Sequence, residues 1–272
     1  MPTLYLTDLD GTLLTGSQRV SERTCEILNR LTADGLRFSF ATARSRFSSR
    51  RAVDGLEPRL PMIVYNGTFI QDITSGQVLH GNYLDHEKAS DIIDWYIRRG
   101  IFPIVYSLVD GREHFSYVPE RSCRALLDFV ATREGDPRLR ATDIDGLYDG
   151  DIFYITAMGD DQVLTEGSEL FSADSTLNCL LYPETYTGDL WLEIMPAAAS
   201  KAVAALKLKG LLGCDRLVCF GDGVNDIPMF QAADECYAVA NAAPELKAMA
   251  TDIIGSNEED AVALWLEQNA EY

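Results

Sequence analysis

The chain begins with a short stretch, Leu4-Tyr5-Leu6-Thr7-Asp8-Leu9-Asp10-Gly11-Thr12-Leu13-Leu14, that predicts how the rest of the sequence is arranged. Residues 4–7 form an apolar run that ends at a turn, which is typical of a central strand covered on both faces. Gly11 lets the chain leave this strand, because glycine tolerates backbone angles that other residues avoid. We therefore expect Asp8 and Asp10 at the carboxyl end of a strand, where open α/β sheets bind their ligands.

Two carboxylates this close repel each other unless a cation lies between them or one of them is protonated. Both arrangements are chemically useful. A divalent metal can hold one carboxylate ionised as a nucleophile, and the other carboxylate can give and take protons. Aspartate is also common in ordinary solvated turns, so the pair alone leaves both interpretations open.

Polar side chains also follow other predicted strands. Residues 21–34 read as a helix with Ser21 as its N-cap, and residues 74–76 read as the turn of a hairpin. Residues 36–41, 62–65 and 217–220 read as strands, and residues 197–212 read as an Ala-rich helix. The polar residues just past these strands, or in the first turn of the helix, are Thr42 with Arg44, Asn66, Lys201, and Asp222 with Asn225 and Asp226. Because parallel strands direct their carboxyl ends to one edge of the sheet, we expect these side chains to form one site.

The side chains at this edge suit a phosphate group and a hard cation. A hydroxyl, a cationic side chain and backbone N–H groups are common phosphate ligands. Lys201 goes against the usual preference for cations at helix C-termini, and a solvated lysine is the simple explanation, but an anion site would make its position favourable. Carboxylates with neutral oxygens suit Mg²⁺. We also expect Asn225 or Asp226 to cap the helix that follows.

The pattern of strands and helices changes near residue 84. Hairpin strands and helices alternate from there to residue 189, as in a separate α+β unit. Within it, the polar residues 134–150 predict an exposed loop, and residues 183–188 a return connection. Residues 191–196 then read as a strand that brings the chain back. We predict a core domain of residues 1–83 and 190–272 with an inserted domain of residues 84–189.

Composition limits the class of protein. The 272 residues fit about two domains at ~150 residues each. A net charge of -19, from 42 acidic and 23 basic residues, argues against nucleic acid or an anionic membrane as the main partner. No secretory signal or membrane span is visible. The six cysteines form no C-x-x-C pair and read as free thiols, which indicates a cytoplasmic protein.

The motifs together resemble those of the haloacid dehalogenase superfamily. The resemblance rests on Asp8-Leu9-Asp10-Gly11-Thr12, on Thr42 after the second strand, on Lys201 at a helix start, and on Gly221-Asp222-Gly223-Val224-Asn225-Asp226. Their order and spacing are similar to the Cof-type sugar-phosphatase branch and cover the whole chain. The resemblance implies a Rossmann-like parallel-sheet α/β core with a large inserted α+β cap domain that closes over the site and selects the substrate.

The resemblance also implies the role of each residue. Asp8 would attack phosphorus, and Asp10 would first protonate the leaving oxygen and then activate water. Asp8, Asp222 and the backbone carbonyl of Asp10 would bind Mg²⁺, supported by Asn225 and Asp226. The residues expected to contact phosphate or substrate are Gly11, Thr42, Ala43, Arg44, Asn66 and Lys201. Ala43 stands where the family often has Gly, and Lys201 lies in an Ala-rich stretch where the family often has Gly on both sides.

Other functions remain open at this stage. A phosphomutase would share Asp8 and Asp10 but return the phosphate to its substrate. The sequence around Asp222 also resembles P-type ion pumps, but those carry a Lys at the position of Leu9 and have membrane spans. A non-catalytic binding protein on the same scaffold is a third candidate. We expect a phosphatase acting on a small phosphorylated metabolite, with sugar phosphates suggested by the resemblance; its state as a monomer or homodimer stays open.

Overall fold

A computed structural model describes residues 1–183 and 188–271. The chain forms two compact units, one of residues 1–81 with the chain from Ala199 onward, the other of residues 82–198. The strands, in chain order, are β1 Thr3–Thr7, β2 Arg37–Phe40, β3 Met62–Val64, β4 Phe69–Gln71, β5 Val78–Gly81, β6 Ile104–Val109, β7 Arg112–Tyr117, β8 Leu139–Ala141, β9 Asp151–Met158, β10 Leu177–Pro183, β11 Leu190–Pro196, β12 Arg216–Gly221, β13 Glu235–Ala238 and β14 Asp252–Ile253.

The α-helices, in chain order, are α1 Glu22–Ala33, α2 Arg46–Ala52, α3 His86–Ile97, α4 Arg124–Ala131, α5 Asp161–Ser172, α6 Lys201–Leu211, α7 Ile227–Ala232, α8 Pro244–Lys247 and α9 Ala261–Asn269. Within residues 1–183 and 188–271, each helix is too short or too polar to cross a lipid bilayer. All six cysteines are free thiols, as predicted, and three of them are buried.

The first unit is built on a parallel sheet with strand order β14-β13-β12-β1-β2. The opening stretch forms its central strand, since β1 pairs with β12 on one side and β2 on the other and all five of its residues are buried. Burial on both faces explains its continuous apolar sequence. The predicted parallel sheet is confirmed, and Asp8 and Asp222 follow two adjacent strands.

The segment after β2 joins the sheet differently from the other strands. Ala41 and Ile63 form a single parallel bridge, after which β3, β4 and β5 make an antiparallel sheet. The β4–β5 pair confirms the hairpin predicted around residues 74–76. This arrangement brings Thr42 and Asn66 together, since the Asn66 N–H donates to the Thr42 carbonyl (3.0 Å).

Helix starts in the first unit follow their capping residues. Ser21 precedes α1 as predicted, and its hydroxyl accepts a hydrogen bond from the Thr24 N–H at 2.9 Å. Helix α6 begins four residues later than predicted, at Lys201, because Ser200 is its N-cap and accepts from the Ala202 N–H at 3.2 Å. Lys201 is therefore the first helical residue.

The second unit contains a six-stranded sheet in the order β10-β11-β9-β6-β7-β8. Its neighbouring strands are antiparallel except for β7 and β8, so the predicted α+β character is confirmed. Asp110 and Gly111 join β6 to β7 with φ of 51° and 72°, the left-handed geometry of a tight hairpin turn. Helices α3 and α5 contribute to a core around Ile93, Ile155 and Leu164.

Two predictions for this part of the chain are wrong. Residues 134–150 are not simply an exposed loop: they contain β8 and a helical turn, Asp145–Tyr148, whose Leu147 is fully buried. Residues 191–196 do not return the chain to the first unit, because β11 pairs with β9 and β10. The second unit therefore extends to Ala198. Most of the predicted return connection over residues 183–188 lies outside the described residues.

Candidate active site

Asp8 is a buried carboxylate held by a buried lysine. It directly follows β1, and only 5% of its surface is exposed. Lys201 Nζ donates to Asp8 Oδ1 at 2.5 Å and to Asp226 Oδ1 at 2.7 Å. An ionised group in a protein interior requires such partners, because burial removes its hydration. The Asp8–Lys201–Asp226 network thus joins the ends of β1 and β12 to the start of α6.

Burial and charge affect the two ends of this network in different ways. Burial raises the pKa of Asp8 from its usual 3.8 to about 8, and Lys201 offsets only part of this effect. For Lys201, burial lowers the pKa, but the charges of Asp8 and Asp226 more than compensate and the net pKa is raised. Lys201 therefore stays charged, but its single positive charge does not balance the negative charges of the carboxylates around it.

Asp226 has both carboxylate oxygens engaged within the protein. Oδ1 accepts from Lys201, and Oδ2 accepts from the backbone N–H groups of Asp222 (3.1 Å) and Gly223 (3.2 Å). The side chain turns back onto its own loop, so the prediction that Asn225 or Asp226 caps the following helix is wrong: α7 has no side-chain cap. Gly221 makes room for it: a Cβ there would lie 2.7 Å from Asp226 Oδ2. Asp226 therefore holds Lys201 and its own loop in place, and its oxygens are not left open for a ligand.

Asp222 is the more open carboxylate at the end of β12. Its Oδ1 accepts a hydrogen bond from the Thr12 hydroxyl at 2.8 Å. Burial raises its pKa, and the Thr12 hydrogen bond partly opposes this effect. Gly11 adopts φ of 75° beside it, and a Cβ on Gly11 would collide with the Asp222 carboxylate. The Gly-Thr turn is thus shaped to accept this aspartate.

A divalent cation fits the chemistry of these groups. Asp8, Asp222 and Asp226 each offer a carboxylate oxygen, and the three oxygens lie within 4.8 Å of one another. One lysine contacts two of the three carboxylates, Asp8 and Asp226, which leaves negative charge that a cation can neutralise. Because Asp226 is fully engaged, Asp8 and Asp222 are the side chains that could hold the ion. A hard cation such as Mg²⁺ prefers oxygen ligands of this kind.

Asp10 is paired with Arg44 instead of joining the carboxylate cluster. The Arg44 guanidinium donates from Nε to Asp10 Oδ2 at 2.7 Å and from Nη2 to Oδ1 at 2.5 Å. Such two-point contacts fix the orientation of a carboxylate. Asp10 nevertheless remains about half exposed, with 49% of its side-chain surface accessible. Arg44 thus orients Asp10 in this structure, and its predicted contact with substrate stays a prediction.

Thr42 and Asn66 lie together at the ends of their strands. Thr42 is fully buried, and its hydroxyl accepts from the Arg44 N–H at 3.1 Å, so the hydroxyl proton is left for donation. Asn66 adopts a left-handed conformation, with φ of 52°. Its side-chain oxygen is buried and has no hydrogen-bond partner among the described residues. An unsatisfied buried acceptor is uncommon, and it could accept from a ligand hydroxyl.

Two predicted residues make no polar contact with the cluster. The side chain of Asn225 is exposed and forms no hydrogen bond within the described parts of the chain. Ala43 is also exposed and has no polar side chain. The sequence interpretation missed Gly67 and Thr12. Gly67 has φ of 101° and packs against the Ser200 carbonyl at the start of α6; the Asn66-Gly67 pair was the available signal.

Comparisons with known proteins agree with this architecture. A family model of haloacid dehalogenase-like hydrolases matches residues 5–266. The chain is 27% identical to a 5-amino-6-(5-phospho-D-ribitylamino)uracil phosphatase of Bacillus subtilis, over 96% of each chain. It is 27% identical to an HMP-PP phosphatase of Cronobacter sakazakii, covering 98% of this chain and 95% of that protein.

The fold is also similar to that of solved structures. A crystal structure of a protein from Thermotoga maritima superposes with a TM-score of 0.82 at 21% identity, covering 100% of this chain and 99% of that one. Together with the match over residues 5–266, this confirms the resemblance drawn from Asp8, Thr42, Lys201 and Asp222. The chain belongs to the haloacid dehalogenase-like hydrolase family.

Proposed function

We propose that this hydrolase is a Mg²⁺-dependent phosphatase that removes phosphate from a small phosphorylated metabolite, namely a sugar phosphate. The observation that carries the proposal is the state of Asp8. Its Oδ1 is held by Lys201, while its Oδ2 accepts no hydrogen bond from any described residue. A carboxylate fixed at one oxygen and open at the other is arranged to act as a nucleophile.

In the first step, Asp8 Oδ2 forms a bond to phosphorus and the bond from phosphorus to the leaving oxygen breaks. Asp10, which must enter this step protonated, donates its proton to that oxygen and so acts as the general acid. Lys201 orients Asp8 and offsets charge on the phosphoryl oxygens, and Thr42 donates its hydroxyl proton to one of them. The product of this step is an aspartyl-phosphate on Asp8.

In the second step, Asp10 accepts a proton from a water molecule that attacks phosphorus. The bond from phosphorus to Asp8 breaks, inorganic phosphate leaves, and Asp8 returns to its carboxylate form. Mg²⁺, held by Asp8, Asp222 and the backbone carbonyl of Asp10, would supply charge neutralisation for the phosphoryl group. The Arg44 contacts keep Asp10 oriented for both proton transfers.

The unit of residues 82–198 is the cap domain in this proposal, and it selects the substrate. Two similar proteins are named for phosphatase activity on phosphorylated metabolites, one carrying a phosphoribityl group and the other named for HMP-PP. These names support a small phosphorylated substrate for this chain. The polyhydroxylated phosphoribityl group of the Bacillus subtilis relative's substrate is the feature that favours sugar phosphates here.

The test is phosphate release from a panel of sugar phosphates, with Mg²⁺ or with chelator. Asp8→Asn keeps the shape of the side chain but removes the nucleophile, and Asp34→Asn at an exposed position serves as the matched control. We expect activity in the wild type and in Asp34→Asn, and none in Asp8→Asn or in chelator. Intact-protein mass spectrometry after acid quenching should detect one phosphoryl group on the wild type during turnover.

Activity that survives in Asp8→Asn would refute the covalent mechanism. Transfer of phosphate between positions of one sugar, without release of inorganic phosphate, would instead identify a phosphomutase. A wild-type protein that binds Mg²⁺ but neither releases nor transfers phosphate from any member of the panel would contradict the proposed substrate class.

A further inference from the structure

A second cluster of charge lies in the first unit, apart from the carboxylates, and it has the opposite sign. Helix α2 and the turn that ends at Arg19 form a cavity of about 400 Å³. The residues that line this cavity, here called the arginine cavity, are Arg19, Arg46, Phe47, Arg50, Arg51 and Asp54. In a chain with 42 acidic and 23 basic residues, four arginines and one aspartate around a single cavity are unusual.

The arginines of the cavity lack the carboxylate partners that several other arginines of the protein have. Arg138, Arg140 and Arg216 each form an ion pair with a carboxylate. Within residues 1–183 and 188–271, none of the four arginines of the cavity forms an ion pair. No described carboxylate therefore makes a direct ion pair with them, although Asp54 lies in the same wall.

Helix α2 holds two of these charges at an unfavourable spacing. Arg46 and Arg50 are four residues apart, so they lie on the same face of the helix, where like charges repel each other and destabilise it. A bound anion would reduce this repulsion.

Arg46 is held in place at one side of the cavity. Its Nη1 donates to the Ile73 carbonyl at 3.0 Å, and Gly76 packs against its guanidinium so closely that a Cβ would lie 2.9 Å from it. Asp72 is near enough for the Arg46 charge to contribute to lowering its pKa, although hydrogen bonds from Ser75 are the larger cause. Asp72 Oδ1 is occupied by Ser75 and Thr74, so it does not pair with Arg46.

The geometry points to a binding site for a small organic anion with two phosphate-like groups. One guanidinium group can donate two parallel hydrogen bonds to a phosphate group, and four guanidinium groups offer more donors than a single phosphate needs. The volume lies within the ~300–1,000 Å³ of small-molecule sites. Phe47 adds an apolar surface to the wall for the organic part of the ligand. This site is separate from the Asp8 cluster and does not depend on the proposed phosphatase activity.

Titration calorimetry with methylenediphosphonate tests the site, since the P–C–P link of this probe resists hydrolysis. The full chain is used at low salt with chelator, which leaves the carboxylates of the Asp8 cluster without a cation and unfavourable to an anion. We expect one binding event for the wild type and weaker binding of inorganic phosphate. Arg50→Ala/Arg51→Ala should weaken diphosphonate binding about tenfold or more, because each charge-assisted hydrogen bond is worth roughly tenfold.

Two controls separate a specific site from general charge attraction. Arg23→Ala/Arg112→Ala changes the net charge equally at two exposed arginines outside the cavity, and it should bind as the wild type does. Asp54→Asn removes the one acidic side chain of the wall and should tighten binding. Asp8→Asn should bind methylenediphosphonate with the same affinity as the wild type. The result of this test is therefore independent of the result of the phosphatase assay.

The proposal is overturned if the wild type does not bind methylenediphosphonate at millimolar concentration. It is also overturned if Arg23→Ala/Arg112→Ala weakens binding as much as Arg50→Ala/Arg51→Ala, because the attraction would then depend on net charge alone. Arg50 and Arg51 are exposed and alanine favours helix, so both double variants should fold, which far-UV circular dichroism can verify.

Discussion

Replacing Lys201 by methionine tests the electrostatic balance of the Asp8 cluster. Lys201 is 2% exposed and is the ammonium group that contacts both Asp8 and Asp226. Methionine retains much of its length without charge, so the two carboxylates would stay buried and lose their cation. Removing one partner of a buried ion pair costs about 3–5 kcal/mol. We expect a loss of that size in the free energy of unfolding of the first unit at pH 8.5, without metal.

The cost should depend on pH in a defined direction. A buried carboxylate without a partner binds a proton in place of the cation. The pKa of Asp8 is already raised from 3.8 to about 8, so the folded protein retains a proton there that the unfolded chain loses. Protonation at Asp8 limits the damage below about pH 8. The stability gap between Lys201→Met and the wild type should therefore widen as pH rises through this range.

The assay is urea unfolding in chelator at pH 6 and pH 8.5, with Lys207→Met as the matched control. Lys207 lies on the same helix but is exposed, so its replacement should change stability by less than about 0.5 kcal/mol. If Lys201→Met unfolds at the same urea concentration as Lys207→Met at pH 8.5, Lys201 does not compensate the buried carboxylates and the reasoning is wrong.

Three further substitutions test separate parts of the site. Arg44→Ala should lower kcat by about tenfold to a hundredfold, with a smaller effect on KM, because Asp10 loses the two contacts that orient it. Steady-state kinetics with Arg23→Ala as the control tests this. Equal kcat values for the two variants would contradict the orienting role of Arg44. Asp222→Asn should raise the Mg²⁺ concentration for half-maximal activity by at least about tenfold, and an unchanged Mg²⁺ titration would contradict its role. Gly67→Ala should destabilise the protein by more than the ~1–2 kcal/mol that a left-handed backbone alone costs alanine, because the new Cβ would meet the Ser200 carbonyl. Gly213 is the control: it has φ of 60°, and a Cβ added there would have no atom within 4 Å. Gly213→Ala should therefore show the backbone cost alone in the same unfolding assay.

The parts of the fold that the sequence predicted are those determined by local chemistry. An apolar run, two aspartates and a glycine predicted β1 and the turn after it, and a serine predicted the start of α1. The four strand ends and the helix start that carry polar residues could be recognised because each is a local transition between apolar and polar sequence. Their meeting at one edge follows from the parallel order of β12, β1 and β2.

The errors concern pairings between distant residues. Residues 134–150 read as a loop because they are charged, but Arg138 pairs with Glu113 and Asp136 in a half-buried network beside β8. Opposite charges that meet in space satisfy each other, and a linear sequence does not indicate which ones meet. Strand β11 has the same limitation, since its pairing with β9 decides which unit it joins.

The same limitation affected Asp226 and Arg44. Local rules assigned Asp226 to a helix cap, but a lysine 25 residues earlier in the chain uses one of its oxygens. Local position predicted a substrate contact for Arg44, but it did not indicate that Asp10, 34 residues earlier, accepts hydrogen bonds from its Nε and Nη2. In both cases a charged partner from another element decided the role, because a buried or oriented charge is most stable with an opposite charge beside it.

The charge balance of the site explains why its residues act together. Three carboxylates converge within 4.8 Å, and one lysine lies among them, so the fully ionised cluster carries two negative charges in excess. Burial is the main cause that raises the pKa of Asp8; Lys201 opposes it, and the charges of Asp226 and Asp222 add to it. The excess charge of the cluster equals the charge of one divalent ion. Without the ion, a phosphate monoester would meet two excess negative charges and be repelled. In the proposed mechanism, a bound divalent ion would make the cluster neutral, keep Asp8 ionised as a nucleophile and let the anionic substrate approach, so metal binding and nucleophile activation would be one electrostatic event.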